Sequence, residues 1–531
     1  MKSIVRSLAL AALLLGAGHG AARAQITEPA LLDSIQRTGF QYFWDEANPA
    51  NGLIKDRSTV TSPASIAATG FGLSAICVGV DHGWVGRTDA ATRVLTTLQT
   101  FWNGPQGTAS IGMTGYKGWF YHFLDMNTAT RTWNSELSSI DTALLLAGIL
   151  HCRQYFGGDA ADETQIRMLA DSIYRRVDFK WMQNLGTGIR MGWNPESGFG
   201  SFGTWMGYNE AMILYILAIG SPVPARATAA SAWSTWTYLY NWNTQYGYTY
   251  IIFPPLFGHQ YTHCWVDFRN IKDAFGRQAS HNLTYFENSR RATYAQQAYS
   301  IDDPLNWGYS DSLWGITASD IQGGYSARGA PPAENDNGTI APTAPGGSIA
   351  FAPEIVIPTL RNMYNAWPQV WGKYGFKDAF KPSNGWVGPD WLGIDQGPFV
   401  LMIENYLTGM VWYRFMQNPD VQNGLTRIGF TPTNVVDAGD PRIANELRIF
   451  PGEPNPFQRA TMLRYRLGRS GAVSLTIHDL QGREVARLVE GIQPAGDHAV
   501  KFDASQLPSG VYLARLAQDG AVQMRTLVRL R

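Results

Sequence analysis

The stretch Leu137-Ser138-Ser139-Ile140-Asp141-Thr142-Ala143-Leu144-Leu145-Leu146-Ala147-Gly148-Ile149-Leu150 decides how the long first part of the chain is read. Leu137, Ile140, Leu144, Ala147 and Leu150 recur with a period near 3.6, the mark of an α-helix with one apolar face. The same period returns on both sides of it. Leu31, Leu32, Ile35, Tyr42 and Phe43 share a face, with Gly39 filling the gap. Leu95, Leu98 and Phe101 share another, and Met212, Tyr215 and Ile216 a third. Phe399, Met402, Ile403, Tyr406, Met410 and Tyr413 predict one late helix that starts near Pro398. Roughly ten to twelve helices fit between residues 28 and 418. The loops between them are rich in Gly and Trp and longer than a bundle needs, and long loops in compact domains usually carry function. The fold class is mainly α.

A chain of 531 residues exceeds one ordinary domain. Apolar residues at 45% and charged residues at 16% exclude a disordered chain. Lys plus Arg equals Asp plus Glu, at 42 each, so nothing supplies the basic surface that nucleic acid demands. An anionic substrate is disfavoured for the same reason. Aromatics reach 13%, with 19 Trp, which serves either a large core or flat faces for sugar rings. Cys77, Cys152 and Cys264 lie far apart without CxxC spacing, so they read as small buried hydrophobes.

Residues 1–24 read as a signal peptide: a basic start, the apolar run Leu8 to Ala17, and Ala22-Arg23-Ala24 before the cut. The run is too short to span a bilayer, so the expectation is export to the periplasm, the cell surface or the medium. The first domain is expected at 25–430 and a linker at 431–442. From 443 to 531 the pattern changes to period two. Met462 to Leu467, Val473 to Ile477 and Val511 to Leu516 alternate between turn clusters, which predicts a small all-β sandwich. That tail contains no catalytic cluster.

Cleavage of a glycosidic bond usually needs two carboxyl groups, so acids where a core would not want them are informative. Asp141 falls on the apolar stripe of its helix. Glu210 opens the apolar run Ala211 to Leu217, behind a Gly- and aromatic-rich loop holding Trp205 and Tyr208. Asp395 follows Trp391 and precedes Gln396 at the start of the late helix. A first-turn acid is also favoured by the helix dipole or as a cap, so each acid alone stays ambiguous. All three share a helix start. His263, Trp265, Asp267 and Arg269 pack polar and aromatic groups into one short stretch suited to sugar hydroxyls, with no third partner for a His259–His263 metal pair. Asp56-Arg57 reads as a loop ion pair, structural or lining a cleft, and Trp133 as a further sugar contact. Esterase elbow, P-loop and dinucleotide fingerprints are missing.

Gly39 to Leu53 with Asp56-Arg57-Ser58, Glu136 to Leu145, Gly207-Tyr208-Asn209-Glu210-Ala211 and Gly393 to Pro398 together resemble the bacterial glucoamylase-like domain. This domain is similar to glycoside hydrolase family 144. The resemblance implies an (α/α)6 barrel and an inverting endo-β-1,2-glucanase without cofactor or metal. It implies Glu210 as general acid, Asp395 as base, directly or through a relay, and Glu136 and Asp141 in the same cleft. Related domains imply alternatives: another β-glucan, transglycosylation, or a carbohydrate-binding surface protein that has lost catalysis. Phe450 to Phe457, His478 to Val485 and Leu507 to Tyr512 resemble a type IX secretion sorting domain, or FlgD-like immunoglobulin module. That implies the secretion machinery as partner, beside a β-glucan or oligosaccharide substrate, and a monomer.

Overall fold

The computed structural model describes residues 26–200, 202–433, 447–450, 452, 454–467, 471–479, 481–493, 496–518 and 521–530. The expected signal peptide lies outside them, as does the expected linker from residue 434 on. The chain divides into two compact units. The first takes the chain up to Val266 with Asn288–Tyr406 and Val411–Arg427. The second takes Asp267–Glu287, Leu407–Met410 and the chain from Ile428 on.

The first unit is helical. Its main helices are α1 (Glu28–Asp45), α2 (Ile66–Asp81), α3 (Arg87–Asn103), α4 (Ser139–Tyr155), α5 (Ala161–Arg176), α6 (Met212–Gly220), α7 (Asn288–Asp302 of a helix that starts at Tyr285), α8 (Pro353–Ala366) and α9 (Gly393–Leu407). They fall into two kinds. Helices α1, α3, α5 and α8 bury one face and wet the other, as a surface helix does. Helices α2, α4, α6 and α9 are buried almost all round. A helix apolar on every side belongs inside, where each fully buried Leu or Ile contributes roughly 1.5–3 kcal/mol. Helix α1 packs on α2, α2 on α4, α4 on α6, and α3 and α4 both on α5. The result is an inner layer wrapped by an outer one. Helix α4 carries more than the expected stripe, because Thr142, His151 and Arg153 are buried along with the apolar residues.

The inner helices meet through glycine. A Cβ on Gly148 would stand 2.1 Å from the carbonyl oxygen of Gly70, and one on Gly70 would stand 2.3 Å from that of Leu144. Cys77 and Cys152 face each other nearby, buried and free, with sulfurs 3.7 Å apart. Short strand pairs deliver the chain to the helix starts: Ala64–Ser65 against Phe123–Leu124 before α2, and Leu137–Ser138 against Gly192–Trp193 before α4. The expected late helix is two helices. Gly409 takes a φ of +69°, a left-handed conformation that glycine adopts freely, and the chain resumes as Met410–Met416. The first of the pair begins at Gly393 rather than near Pro398.

The second unit is rich in strands. Ala460–Leu467 pairs with Arg448–Ile449 and Gly496–Asp503, and a four-stranded antiparallel sheet runs in the order 484–493, 471–478, 510–518, 521–529. Along Ala460–Leu467 the residues Thr461, Leu463, Tyr465 and Leu467 point inward, as period-two reading expects. Leu463, Tyr465 and Leu467 share one apolar core with Ile449, Leu475, Ile477, Leu516 and Leu527 from the other strands. The unit reaches back for Asp267–Glu287: Ile271–Lys272 pairs with Thr431–Pro432, and Phe430 packs on Phe268 and Tyr285. Among the described residues no helix is long and apolar enough to cross a membrane.

Candidate active site

The starts of the inner helices bring acids together. Ser138 caps α4: its hydroxyl oxygen accepts from the Asp141 backbone N–H and its O–H donates to Asp141 Oδ2. Asp141 is thus the third residue of α4, held in place by its own cap. Glu210 sits in the turn just before α6, partly exposed. Asp395 is the third residue of α9 and 2% exposed. The charge of Asp141 acts on Glu210, on Asp56 and on His122. The Tyr261 phenol feels both Glu210 and Asp395. The three helix-start acids therefore belong to one electrostatic cluster.

Desolvation pushes the Glu210 carboxyl up to about 7. Asp141 adds to the rise and a backbone hydrogen bond opposes it. Near neutral pH this group is a poised proton donor. Asp395 is raised well above the carboxylate range, first by burial and then by Asp378. Asp378 is raised too, by burial and by Asp320. Asp378 Oδ1 and Asp395 Oδ2 are both buried without any other hydrogen-bond partner. Two carboxylates in contact cannot both ionise, so one proton lies between them. Asp378 Oδ2 accepts from the Asp320 backbone N–H at 2.6 Å.

Cations stabilise the rest. Arg57 Nε donates to Asp56 Oδ2 at 3.3 Å and Nη1 to Asp320 Oδ1 at 3.2 Å, with Asp390 Oδ2 at 3.9 Å. Ser58 and Thr59 hydroxyls fix Asp390. His122 Nδ1 meets Glu136 Oε1 at 3.0 Å, and Nε2 meets Asp141 Oδ2 at 3.6 Å. Burial opposes its charge, yet Asp141 and Glu136 prevail and raise His122 to about 9. Burial raises Glu136, but the His122 hydrogen bond and charge, with a backbone hydrogen bond and Arg131, together outweigh it and the carboxyl is lowered. His122, Glu136 and Asp141 place one ligand atom each within 4.8 Å of one another. An imidazolium with both nitrogens protonated cannot ligate a metal, so the trio fits a charge-paired triad better than a metal site.

Trp205 is partly exposed and donates its indole N–H to Ser139 at the start of α4, 2.9 Å away. Trp391 is partly exposed, with its indole N–H on the Gly375 carbonyl. Trp133 is 64% exposed. Other expected sugar contacts are core residues. Tyr208 is buried against Trp236 and His259. His263 is buried with Nε2 on Ser289, Trp265 is buried with its N–H on Ser74, and Gln396 is buried with its amide on the Phe376 carbonyl. These hydrogen bonds are made within the protein. Asp267 and Arg269 pair with each other at 2.7 Å in the second unit and do not join the acids. Sequence reading missed His122, Asp320, Tyr325 and Asp378. Tyr325 is half-exposed as a residue, but its phenol is withdrawn from water and faces the charges of Asp395, Asp378, Asp56 and Asp320, which raise it and place it in the cluster. None of the four lies on a periodic helix, which was the signal used to find the others.

A layered helical unit with acids gathered at its inner helix starts has counterparts among known proteins. Residues 203–419 match the family described as "Putative glucoamylase", and residues 453–529 match the "Secretion system C-terminal sorting domain". A crystal structure of a "putative glucoamylase" from Bacteroides uniformis is 34% identical with a TM-score of 0.70, over 77% of this chain and 99% of that one. The endo-β-1,2-glucanase of Chitinophaga pinensis, solved with sophorotriose and glucose, is 28% identical with a TM-score of 0.70, over 76% and 99%. An exo-β-1,2-glucooligosaccharide sophorohydrolase (non-reducing end) of Parabacteroides distasonis is 30% identical over 436 residues, 76% of this chain. The chain spans 58% of the length of that relative. The chain belongs to the glucoamylase-like family, with a C-terminal sorting domain.

Proposed function

We propose that the protein is an exported glycoside hydrolase that cuts β-1,2-glucan within the chain, with inversion, on an (α/α)6 barrel. The observation that carries this reading is the Glu210 carboxyl, held protonated up to about 7 beside Asp141 and in one cluster with the proton-sharing Asp378–Asp395 pair. Glu210 donates its proton to the leaving oxygen. Water attacks from the opposite face of the sugar, and its proton passes to the Asp378–Asp395 pair, which holds one proton and one charge and so can take a second. Inversion leaves a gap of about 6.5–9.5 Å between acid and base in the simplest case. Asp395 is too buried to meet bulk water, so a hydroxyl relay carries the proton. Arg57 and His122 keep the surrounding carboxylates from repelling one another.

The linkage rests on the two β-1,2-acting relatives. The endo mode is favoured by overlap, since the chain covers 99% of the endo-acting Chitinophaga enzyme but 58% of the exo-acting relative. The tail, read as an immunoglobulin-like sandwich, serves export, which its match to sorting domains supports.

Product analysis on linear β-1,2-glucan, beside β-1,3-, β-1,4- and β-1,6-glucans, tests the reading. A ladder of β-1,2 oligosaccharides is expected from the first alone, with α-anomers formed first. Disaccharide as sole early product overturns the endo mode, and cleavage of another glucan overturns the linkage. Glu210→Gln is expected to lower kcat by at least about a thousandfold while substrate still binds.

A further inference from the structure

Beside the acid cluster lies a cavity of about 540 Å³, formed by the end of α1, the loop Lys55–Pro63 and the loop Asp125–Trp133. Its size falls within the range of ligand clefts, about 300–1,000 Å³. It shares walls with the cluster. In the first loop Lys55 and Ser62 line the cavity, while Asp56 and Arg57 between them belong to the cluster. On the second wall Trp133 packs on Phe123 at 5.2 Å, and Phe123 stacks on His122 at 4.0 Å.

Trp133 is held in an unfavourable conformation. Its φ is +55° and that of Asn134 is +51°, a left-handed region that residues with a Cβ enter only at a cost. The surroundings enforce it. Arg131, its side chain 1% exposed, donates to the carbonyls of Asn134 at 2.8 Å and Ser135 at 2.6 Å, and Glu196 braces the guanidinium at 2.7 Å. Asn48 and Asn51 both donate their amides to the Met126 carbonyl, at 2.7 and 2.8 Å. The loop is thus rigid from both ends, and it presents a large indole to water. A strained, braced backbone that exposes an aromatic face is a pre-formed platform.

The lining chemistry names the ligand class. Lys55 pairs with Glu46 at 2.8 Å and Lys373 with Asp45 at 3.1 Å, so apart from Asp125 the lining is polar with little net charge. Carboxylate, amide and hydroxyl groups beside one flat ring suit an uncharged pyranose, whose C–H face stacks while its hydroxyls bond. We infer that this cavity is a remote glucosyl subsite with Trp133 as its platform. It grips part of the glucan that is not being cut and so favours long chains over short ones. The inference rests on the glucan reading above.

Calorimetric binding tests it in the Glu210→Gln background, with long β-1,2-glucan and with the β-1,2 disaccharide. Adding Trp133→Ala is expected to weaken binding of the long chain about tenfold and to change disaccharide binding less than twofold, while Trp133→Phe recovers most of the loss. Equal affinity for the long chain with and without the ring overturns the subsite. So does an equal loss on both ligands, or a loss that Phe does not recover. If Glu210→Gln alone binds no β-1,2-glucan of any length, the substrate reading itself falls and takes the subsite with it.

Discussion

At the scale of residues, Glu210 serves two opposed ends. Raising its pKa from 4.5 to about 7 makes it a proton donor at neutral pH, and the same shift makes its ionised form costly to the fold. Below pH 4.5 folded and unfolded chains both hold the proton, and the cost vanishes. Between 4.5 and about 7 only the unfolded chain ionises, so stability falls as pH rises, by roughly 3 kcal/mol at most. Glu210→Gln, neutral throughout, is expected to melt higher than the parent at pH 8 and at the same temperature at pH 4, as scanning calorimetry will reveal. Asp141 raises Glu210 through its charge. Asp141→Asn is therefore expected to move the basic limb of the kcat/KM profile below pH 7, and a limb that stays put would separate the two residues. Glu210, Asp141 and Asp395 were legible in the sequence because a carboxylate beside a run of apolar residues breaks a pattern. Asp320 and Asp378 break none, since a polar residue in a short strand or a bend is ordinary until the fold sets it against another acid. Trp265 and Gln396 misled for the converse reason: polar and aromatic groups dense in sequence were satisfying each other indoors.

At the scale of elements, helices were legible by period, but one period describes both a one-faced helix and the visible part of an all-buried one. Helix α4 is of the second kind, and its neighbours Thr142, His151 and Arg153 gave no hint of burial. The break at Gly409 was hidden because Met410 and Tyr413 happen to continue the spacing. The crossing of α2 and α4 has no slack, because the atom that a new Cβ would meet is backbone. Gly148→Ala is expected to destabilise the protein by at least about 1–3 kcal/mol in urea titration. Because α4 also carries Asp141, activity under native conditions should fall in the same variant.

At the scale of the whole molecule, the tail has its own core and its own sheets. Deleting residues 447–531 is expected to leave glucan hydrolysis in vitro within twofold of the full chain, while the shortened protein remains in the periplasm of a host that secretes the full one. Fractionation with activity assay decides both. The boundary between the units was only half legible, because a change of period marks where strands begin but cannot reveal that Asp267–Glu287 folds with them. The acids of the cluster run from Asp56 to Asp395, and the proposed donor Glu210 and acceptor pair Asp378–Asp395 lie on separate segments. Neither half of that span holds a donor and an acceptor of protons together. While it is being synthesised, or travels unfolded, the chain is chemically silent toward the cell's own sugars. On the proposed reading the pair is complete only in the folded chain, so folding itself acts as the safety catch.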